Sequence, residues 1–204
     1  MLKIQIIDNF FPDPYYIRSK ALKAKNPDKS RNYPGQRFSI DSNVCDFVLS
    51  VIREYIPHAV IAERDRHGMS FNFVDASYVG GVCHADSKFG RYNCIVYLTP
   101  DPPPESGIEI YDDFYLYESK YPSHIKNCNK VKKRFFYSPR NFIDRFLFKR
   151  DGIKKSLEHQ KNKIEISNKF NRMVLLPSTM IHRPQNYFGK DRKDCRLTLT
   201  TFLD

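Results

Sequence analysis

Three side chains able to bind a divalent cation stand out in this chain of 204 residues: His84, Asp86 and His182. The triplet His84-Ala85-Asp86 follows a strand-like run and a Gly80-Gly81 break. On an extended backbone residues i and i+2 point to the same side, so one imidazole and one carboxylate can meet at one ion. Such triplets also arise freely in loops, and alone this one is weak evidence. His182 strengthens it. It ends Met173-Val-Leu-Leu-Pro-Ser-Thr-Met-Ile-His182, an apolar run, a Pro-Ser turn and then an imidazole. Two imidazoles and a carboxylate on one face of an octahedron leave three positions open, which suits Fe(II) with a bidentate co-substrate and O2. Zinc could use the same ligands, but its structural sites are usually closed and favour Cys.

A further pair, Arg196 and Thr198, opens a strand-like run over 197–202. On a strand the two share a face, and a guanidinium beside a hydroxyl makes a cradle for a carboxylate. A lone Arg on a strand is more often a surface ion-pairing group. What singles out Arg196 is its order in the chain, after the H-x-D and the second His. His58, His67, His124 and His159 have no such partner spacing and read as surface or structural residues.

The elements that must position these groups fall into two kinds. Residues 3–8 alternate enough for a short strand, and Asp13-Pro14 reads as the cap and first turn of a helix over about 14–25. In 42–55, Val44, Phe47, Val48, Val51 and Ile52 recur at helical spacing. Between them, 26–38 with Pro27, Pro34 and Gly35 reads as an irregular loop. Short apolar or alternating runs follow at 69–75, 92–98, 108–111, 173–176 and 197–202, divided by Gly and Pro turn signals. Helices first and several short strands afterwards predict an α+β protein built on a β-sandwich or jelly roll.

Length and composition bound the rest. The chain suits a single domain over 1–204, and its 41% hydrophobic content with 29 Phe and Tyr fits a packed core rather than disorder. Five widely spaced cysteines (Cys45, Cys83, Cys94, Cys128, Cys195) form no C-x-x-C pair, which argues against a disulfide framework or a structural zinc cluster. No secretory leader and no membrane-length apolar run is visible, so a soluble cytoplasmic protein is expected. Charge is uneven. Residues 113–170 hold 15 Lys and Arg against 6 Asp and Glu, or +9 of the net +11. This segment mixes Lys130-Val-Lys-Lys-Arg134 with Phe135-Phe136-Tyr137 and carries a helix-like stretch at 141–160. It reads as an insertion between core strands, a lid or substrate-facing element that meets something acidic. Nucleic acid would fit its charge and aromatics, but an acidic substrate is the preferred partner.

The order of these motifs resembles the 2-oxoglutarate/Fe(II) oxygenases, in particular the prolyl-4-hydroxylase-like branch and its phage-type members. The likeness rests on H-x-D, the strand ending Tyr97-Leu98, Ser106-Gly107-Ile108-Glu109-Ile110-Tyr111, Leu-Leu-Pro-Ser before His182, and Arg196-x-Thr198. The opening Ile7-Asp8-Asn9-Phe10-Phe11-Pro12-Asp13-Pro14 adds to it. The likeness covers about 1–112 and 171–204 and leaves out the basic insertion. It implies a double-stranded β-helix with N-terminal helices. It also implies iron on His84, Asp86 and His182, and Arg196 with Thr198 at the distal 2-oxoglutarate carboxylate, with Tyr92 a further candidate for that pocket. The implied reaction consumes 2-oxoglutarate and O2 and hydroxylates a peptide side chain or small molecule. Two departures stand. The family's Gly-Gly-Thr is Ser106-Gly107-Ile108 here, and His182 to Arg196 spans 14 residues, so Arg192 at 10 competes. The contrasting reading is a non-catalytic jelly-roll module that binds an acidic partner through 113–170.

Overall fold

The computed structural model describes residues 4–28, 33–62, 68–78, 84–111 and 163–204. Most of the basic segment, with the helix expected over 141–160, lies outside these residues. So do Gly80-Gly81, Cys83, Cys128, His67, His124 and His159. Nine strands and two α-helices are described: β1 (Gln5–Ile7), α1 (Pro14–Lys23), β2 (Gln36–Ser39), α2 (Ser42–Tyr55), β3 (Ser70–Val74), β4 (Tyr92–Tyr97), β5 (Ile108–Tyr111), β6 (Lys163–Ile166), β7 (Met173–Pro177), β8 (Ile181–Pro184) and β9 (Arg196–Leu203).

The helices form where the sequence supplies caps. The Asp13 carboxylate accepts from the Tyr16 amide and that of Asp41 from the Val44 amide, each satisfying a donor that the first turn leaves open. In α2 the buried residues Val44, Val48, Val51 and Ile52 lie on one stripe, which packs on the sheet. At the other end of α1, Arg192 donates to the carbonyls of Ala21 and Ala24 in the last turn. Its guanidinium also stacks on Phe38 and Phe73.

Two antiparallel sheets make the body. The larger has the order β1-β7-β4-β9-β3-β2, and the smaller β6-β5-β8. His84 adds an isolated antiparallel bridge to His182 on β8, a one-residue fourth strand of the smaller sheet. The pleat of the larger sheet divides the core in two. Cys94 and Val96 of β4, Met173 and Leu175 of β7, and Leu197 and Leu199 of β9 pack with the helices in one cluster. The alternate residues Ile95, Tyr97, Val174 and Leu176 join Ile108, Ile110 and Ile166 of the smaller sheet in a second cluster. Strands buried on both faces read as continuous apolar runs, which is why 173–176 looks uniformly hydrophobic. This is the two-sheet jelly-roll arrangement the sequence predicts, with the helices covering the outer face of one sheet.

Three strands escape the sequence reading. Gln36–Ser39 falls in the stretch read as a loop, yet it pairs with β3 along its whole length. Lys163–Ile166 falls in the segment read as an insertion, yet it pairs with β5. The end of that segment therefore belongs to the scaffold. Ile181–Pro184, which carries His182, is the third.

Two close contacts fix the N-terminal segment and the pairing within the smaller sheet. Asn171, in the left-handed region at φ 61°, takes the Phe11 amide on Oδ1 and donates from Nδ2 to the Phe11 carbonyl. Gly107, at the start of β5, lies so close to β6 that a Cβ there would stand 1.9 Å from the Ile166 carbonyl oxygen. Only a residue without a side chain permits that approach. Gly107→Ala should lower stability by about 3 kcal/mol or more, because backbone rather than a flexible side chain is in the way. Denaturant melts check this, and a midpoint unchanged from wild type would show that β5 and β6 can part without cost.

Candidate metal centre

His84, Asp86 and His182 converge. One ligand atom from each, taken together, lie within 4.8 Å of one another. The residues reach this spot by backbone pairing between distant segments. The His84 amide donates to the His182 carbonyl at 3.0 Å, the His182 amide donates back at 2.9 Å, and the Asp86 amide donates to the Ser178 carbonyl at 2.7 Å. The H-x-D segment is thus stitched antiparallel to the Ser178–His182 stretch, and a turn closed by Phe89 on Asp86 follows it. The extended i, i+2 geometry expected of the triplet is realised for that single bridge and no further.

Asp86 Oδ2 lies at the centre of the cluster. It stands 3.3 Å from His182 Nε2 and 3.7 Å from His84 Nε2, and it accepts from Asn93 Nδ2 at 3.0 Å. Burial alone would push the Asp86 carboxyl up, but the His84 charge and the hydrogen bond from His182 overcome it and hold the group down at about 2. For His182, burial works against the charged ring, and Asp86 reverses the balance and raises its pKa. His182 Nδ1 lies 2.9 Å from the Met180 carbonyl. That partner selects the tautomer with Nδ1 protonated and turns Nε2 toward Asp86, as an imidazole ligand requires. His182 is nearly buried, at 3% side-chain exposure, whereas His84 at 32% forms the open side.

A clamp on the outer face of the smaller sheet steadies β8. The buried Glu109 accepts from Arg183 Nε, from Lys163 Nζ at 2.9 Å and from the Tyr111 hydroxyl at 2.6 Å, joining three strands. Burial opposes its charge, but Arg183, Tyr111 and Lys163 hold the Glu109 carboxyl at about 2. With Arg183 pinned outward, the alternation of β8 turns His182 inward, opposite Ile110.

Across the space between the sheets lies a buried cation. Arg196 is 6% exposed and shares the inner face of β9 with Thr198. Its Nε donates to the Ser106 carbonyl at 2.9 Å, and Nη2 is 3.4 Å from the Gly107 carbonyl. Its guanidinium lies over the Tyr97 and Tyr187 rings. No carboxylate of the described residues pairs with it. Buried charges in folded proteins are paired or ligand-bound, so this position asks for an anion. Tyr97 points the same way: its hydroxyl is fully buried beside the Arg196 guanidinium and meets no acceptor among the described residues. Burial raises its pKa despite the opposing pull of Arg196, so it stays a neutral donor.

These positions decide between the sequence candidates. Arg192 caps α1 and stacks on the outer cluster, so it is not available to the inner space, and Arg196 is. Tyr92 needs correction. It lies on the outer face of β4, packed on the helix-side cluster, because residues one apart on a strand face opposite ways. Its neighbour Asn93 faces inward and holds Asp86, and Tyr97 faces inward beside Arg196. Neither was singled out from sequence. A lone Asn in the apolar run Tyr92-Asn-Cys-Ile-Val-Tyr97 was the signal available. His58 is exposed, and Cys94 and Cys195 are free, buried thiols that burial pushes up to about 12.

The fold has solved relatives. HygX from Streptomyces hygroscopicus, solved with nickel, 2-oxoglutarate and hygromycin B, is 13% identical at a TM-score of 0.57, over 98% of this chain and 82% of its own. A prolyl hydroxylase from Trichoplax adhaerens, solved with a peptide fragment of the hypoxia inducible factor oxygen degradation domain, is 13% identical at 0.53, with the same coverage. A Pseudomonas putida prolyl-4-hydroxylase is 12% identical at 0.51, over 100% of this chain and 92% of its own. At these identities the likeness establishes the jelly-roll fold. No functionally curated protein matches the sequence. The model of the family DUF6445, a family of unknown function, matches residues 2–203, and the chain belongs to that family.

Proposed function

We propose that the chain is an Fe(II)- and 2-oxoglutarate-dependent dioxygenase that hydroxylates a peptide side chain or a small molecule. The observation that carries this reading is the pairing of two sites in one inter-sheet space: the His84, Asp86 and His182 donor set, and the buried Arg196 with a Tyr97 hydroxyl that meets no acceptor among the described residues. The fold is that of enzymes solved with a metal and 2-oxoglutarate or with a peptide. Their ligands support the class of reaction and leave this chain's own substrate to be found.

Two neutral imidazoles and one carboxylate suit a divalent iron and leave positions for a bidentate ligand. When bound there, iron with 2-oxoglutarate and O2 supplies the oxidation of a substrate C–H bond, giving succinate and CO2 as co-products. The chain's own residues do the positioning. Asn93 fixes the Asp86 carboxylate, Met180 fixes the His182 tautomer, and the His84–His182 bridge sets the distance between the two rings. Arg196 and Tyr97 present a charged and a neutral donor to a carboxylate. Ile95, Ile108, Ile110, Val174 and Leu176 line the same space and keep water from it.

Anaerobic addition of Fe(II) and 2-oxoglutarate should produce a visible metal-to-ligand absorption band. Asp86→Ala should remove the band while the protein stays folded. Folded wild-type protein with no band would favour the non-catalytic binding module instead. Arg196→Met should weaken 2-oxoglutarate binding by roughly tenfold to a hundredfold, the cost of a lost charged hydrogen bond, with Fe(II) affinity unchanged. Equal losses of both would mean that Arg196 supports the fold rather than the co-substrate.

The pH dependence follows from the same groups. A protonated imidazole cannot ligate, and the His182 pKa is raised above the ordinary 6.5. Metal affinity should therefore begin to fall as pH drops through a value above 6.5, while Asp86, at about 2, stays ionised throughout. The metal-free protein follows the opposite sign: the raised His182 pKa stabilises it at low pH, and that contribution is lost as pH rises. Metal titrations and thermal melts across pH 5 to 8 read both trends, and parallel rather than opposed trends would exclude His182 as the titrating ligand.

A further inference from the structure

Asn93 lies on the inner face of β4 at 5% exposure, and its Nδ2 donates to Asp86 Oδ2 at 3.0 Å. A carboxylate at neutral pH only accepts, so the amide must turn Nδ2 toward Asp86. That leaves Oδ1. It is buried and meets no donor among the described residues. The sheet around it supplies none. In register, Asn93 stands between Leu176 of β7 and Phe202 of β9, and the next inward residue of β4 is Ile95. All three side chains are hydrocarbon.

A half-satisfied amide in such a place is costlier than an apolar side chain of the same size. Either an ordinary buried water or a ligand at Asp86 offsets that cost. The distances favour the ligand. Asp86 Oδ2 stands 3.3 Å from His182 Nε2 and 3.7 Å from His84 Nε2, so it is the oxygen that a metal shared with both rings would take. Oδ1 belongs to the same small planar amide as Nδ2, and so lies beside that oxygen as well. Three protein donors leave positions open on an octahedral ion, and water fills an open position until a substrate displaces it. Water on a divalent cation is a strengthened donor, and it is small enough for a site this closed.

We propose that Asn93 Oδ1 accepts a hydrogen bond from a water on the metal. One amide then holds a protein ligand through Nδ2 and a solvent ligand through Oδ1. Asn93 is thus a positioning residue for an open coordination position as well as for Asp86. The inference rests on the reading of His84, Asp86 and His182 as metal ligands.

The test loads the full-length chain with Mn(II), whose paramagnetism reports on its water ligands. Oxygen-17 relaxation of the solvent gives the residence time of water on the ion, and a titration gives Mn(II) affinity. Asn93→Leu removes both halves of the amide. Asn93→Thr keeps a hydroxyl that can donate to Asp86 and accept from water. In Asn93→Leu the residence time should shorten about tenfold, as loss of one hydrogen bond predicts, and Mn(II) affinity should fall about tenfold or more. Asn93→Thr should restore part of both. Thermal melts show which variants are folded, and Asn93→Val serves the same comparison if the leucine variant is not. A residence time equal in wild type and Asn93→Leu overturns the proposal even where affinity falls, because Asn93 then acts on Asp86 alone. Folded wild-type protein that binds no Mn(II) removes the metal reading, and this proposal with it. Mn(II) bound with an unchanged residence time removes the proposal and leaves the metal reading standing.

Discussion

The candidate centre hangs on one pair of backbone hydrogen bonds, exchanged between His84 and His182. These residues are far apart in sequence, and only His182 belongs to a strand paired along its length. The exchange makes His84 a one-residue strand beside β8 and puts the two rings 4.5 Å apart, with the Asp86 carboxylate against both. Side chains alone would not hold that geometry. Two imidazoles and a carboxylate lose hydration when they pack together, and their mutual attraction offsets only part of that cost. The backbone pair fixes the approach, and Asn93 and Met180 then remove the remaining freedom of Asp86 and of the His182 ring.

The pleat of the larger sheet explains how one small protein carries both a strong core and a polar site. On the helix side of β4, β7 and β9, alternate residues pack with the helices, and all but Thr201 are apolar. The inner face is then free to be mixed. On β7 it stays apolar, with Val174 and Leu176, and on β4 Ile95 lies between the inward Asn93 and Tyr97. On β9, β3 and β2 it turns polar, through Arg196, Thr198, Thr200, Asn72 and Arg37. Function-bearing groups can be placed there because stability is supplied from the opposite face. A one-residue register slip would exchange the two faces and bury Arg196 against α2.

What the sequence made legible follows from the same division. Helix α2 is readable from its apolar spacing alone, and the Asp41 cap found in the structure starts it at the same residue. Strands β4, β5, β7 and β9 were readable because burial on both faces forces continuous apolar runs. The strands that were missed are those whose pairing supplies what composition does not. Gln36-Arg-Phe-Ser has one apolar residue, Lys163-Ile-Glu-Ile is half charged, and Ile181-His-Arg-Pro ends in proline. Each is an edge or near-edge strand held by its neighbour, and intrinsic preference is a poor guide there. At the site, the H-x-D spacing and the later His were visible, but the choice of Tyr92 over Asn93 was not recoverable from spacing. It depends on which face of β4 meets the helices, a fact of tertiary packing.

Arg196 completes the argument from energetics to function. A guanidinium at 6% exposure has given up its water, and the carbonyls of Ser106 and Gly107 replace only part of it. The described residues offer it no carboxylate, and the Tyr97 hydroxyl beside it lacks an acceptor. Selection for stability alone favours an apolar residue here, since uncompensated buried charge is among the costlier features of a fold. One bound carboxylate would satisfy both groups at once, accepting from the cation and from the phenol. On the oxygenase reading, that carboxylate is the co-substrate's, and the two donors that select it are the ones the core leaves least satisfied.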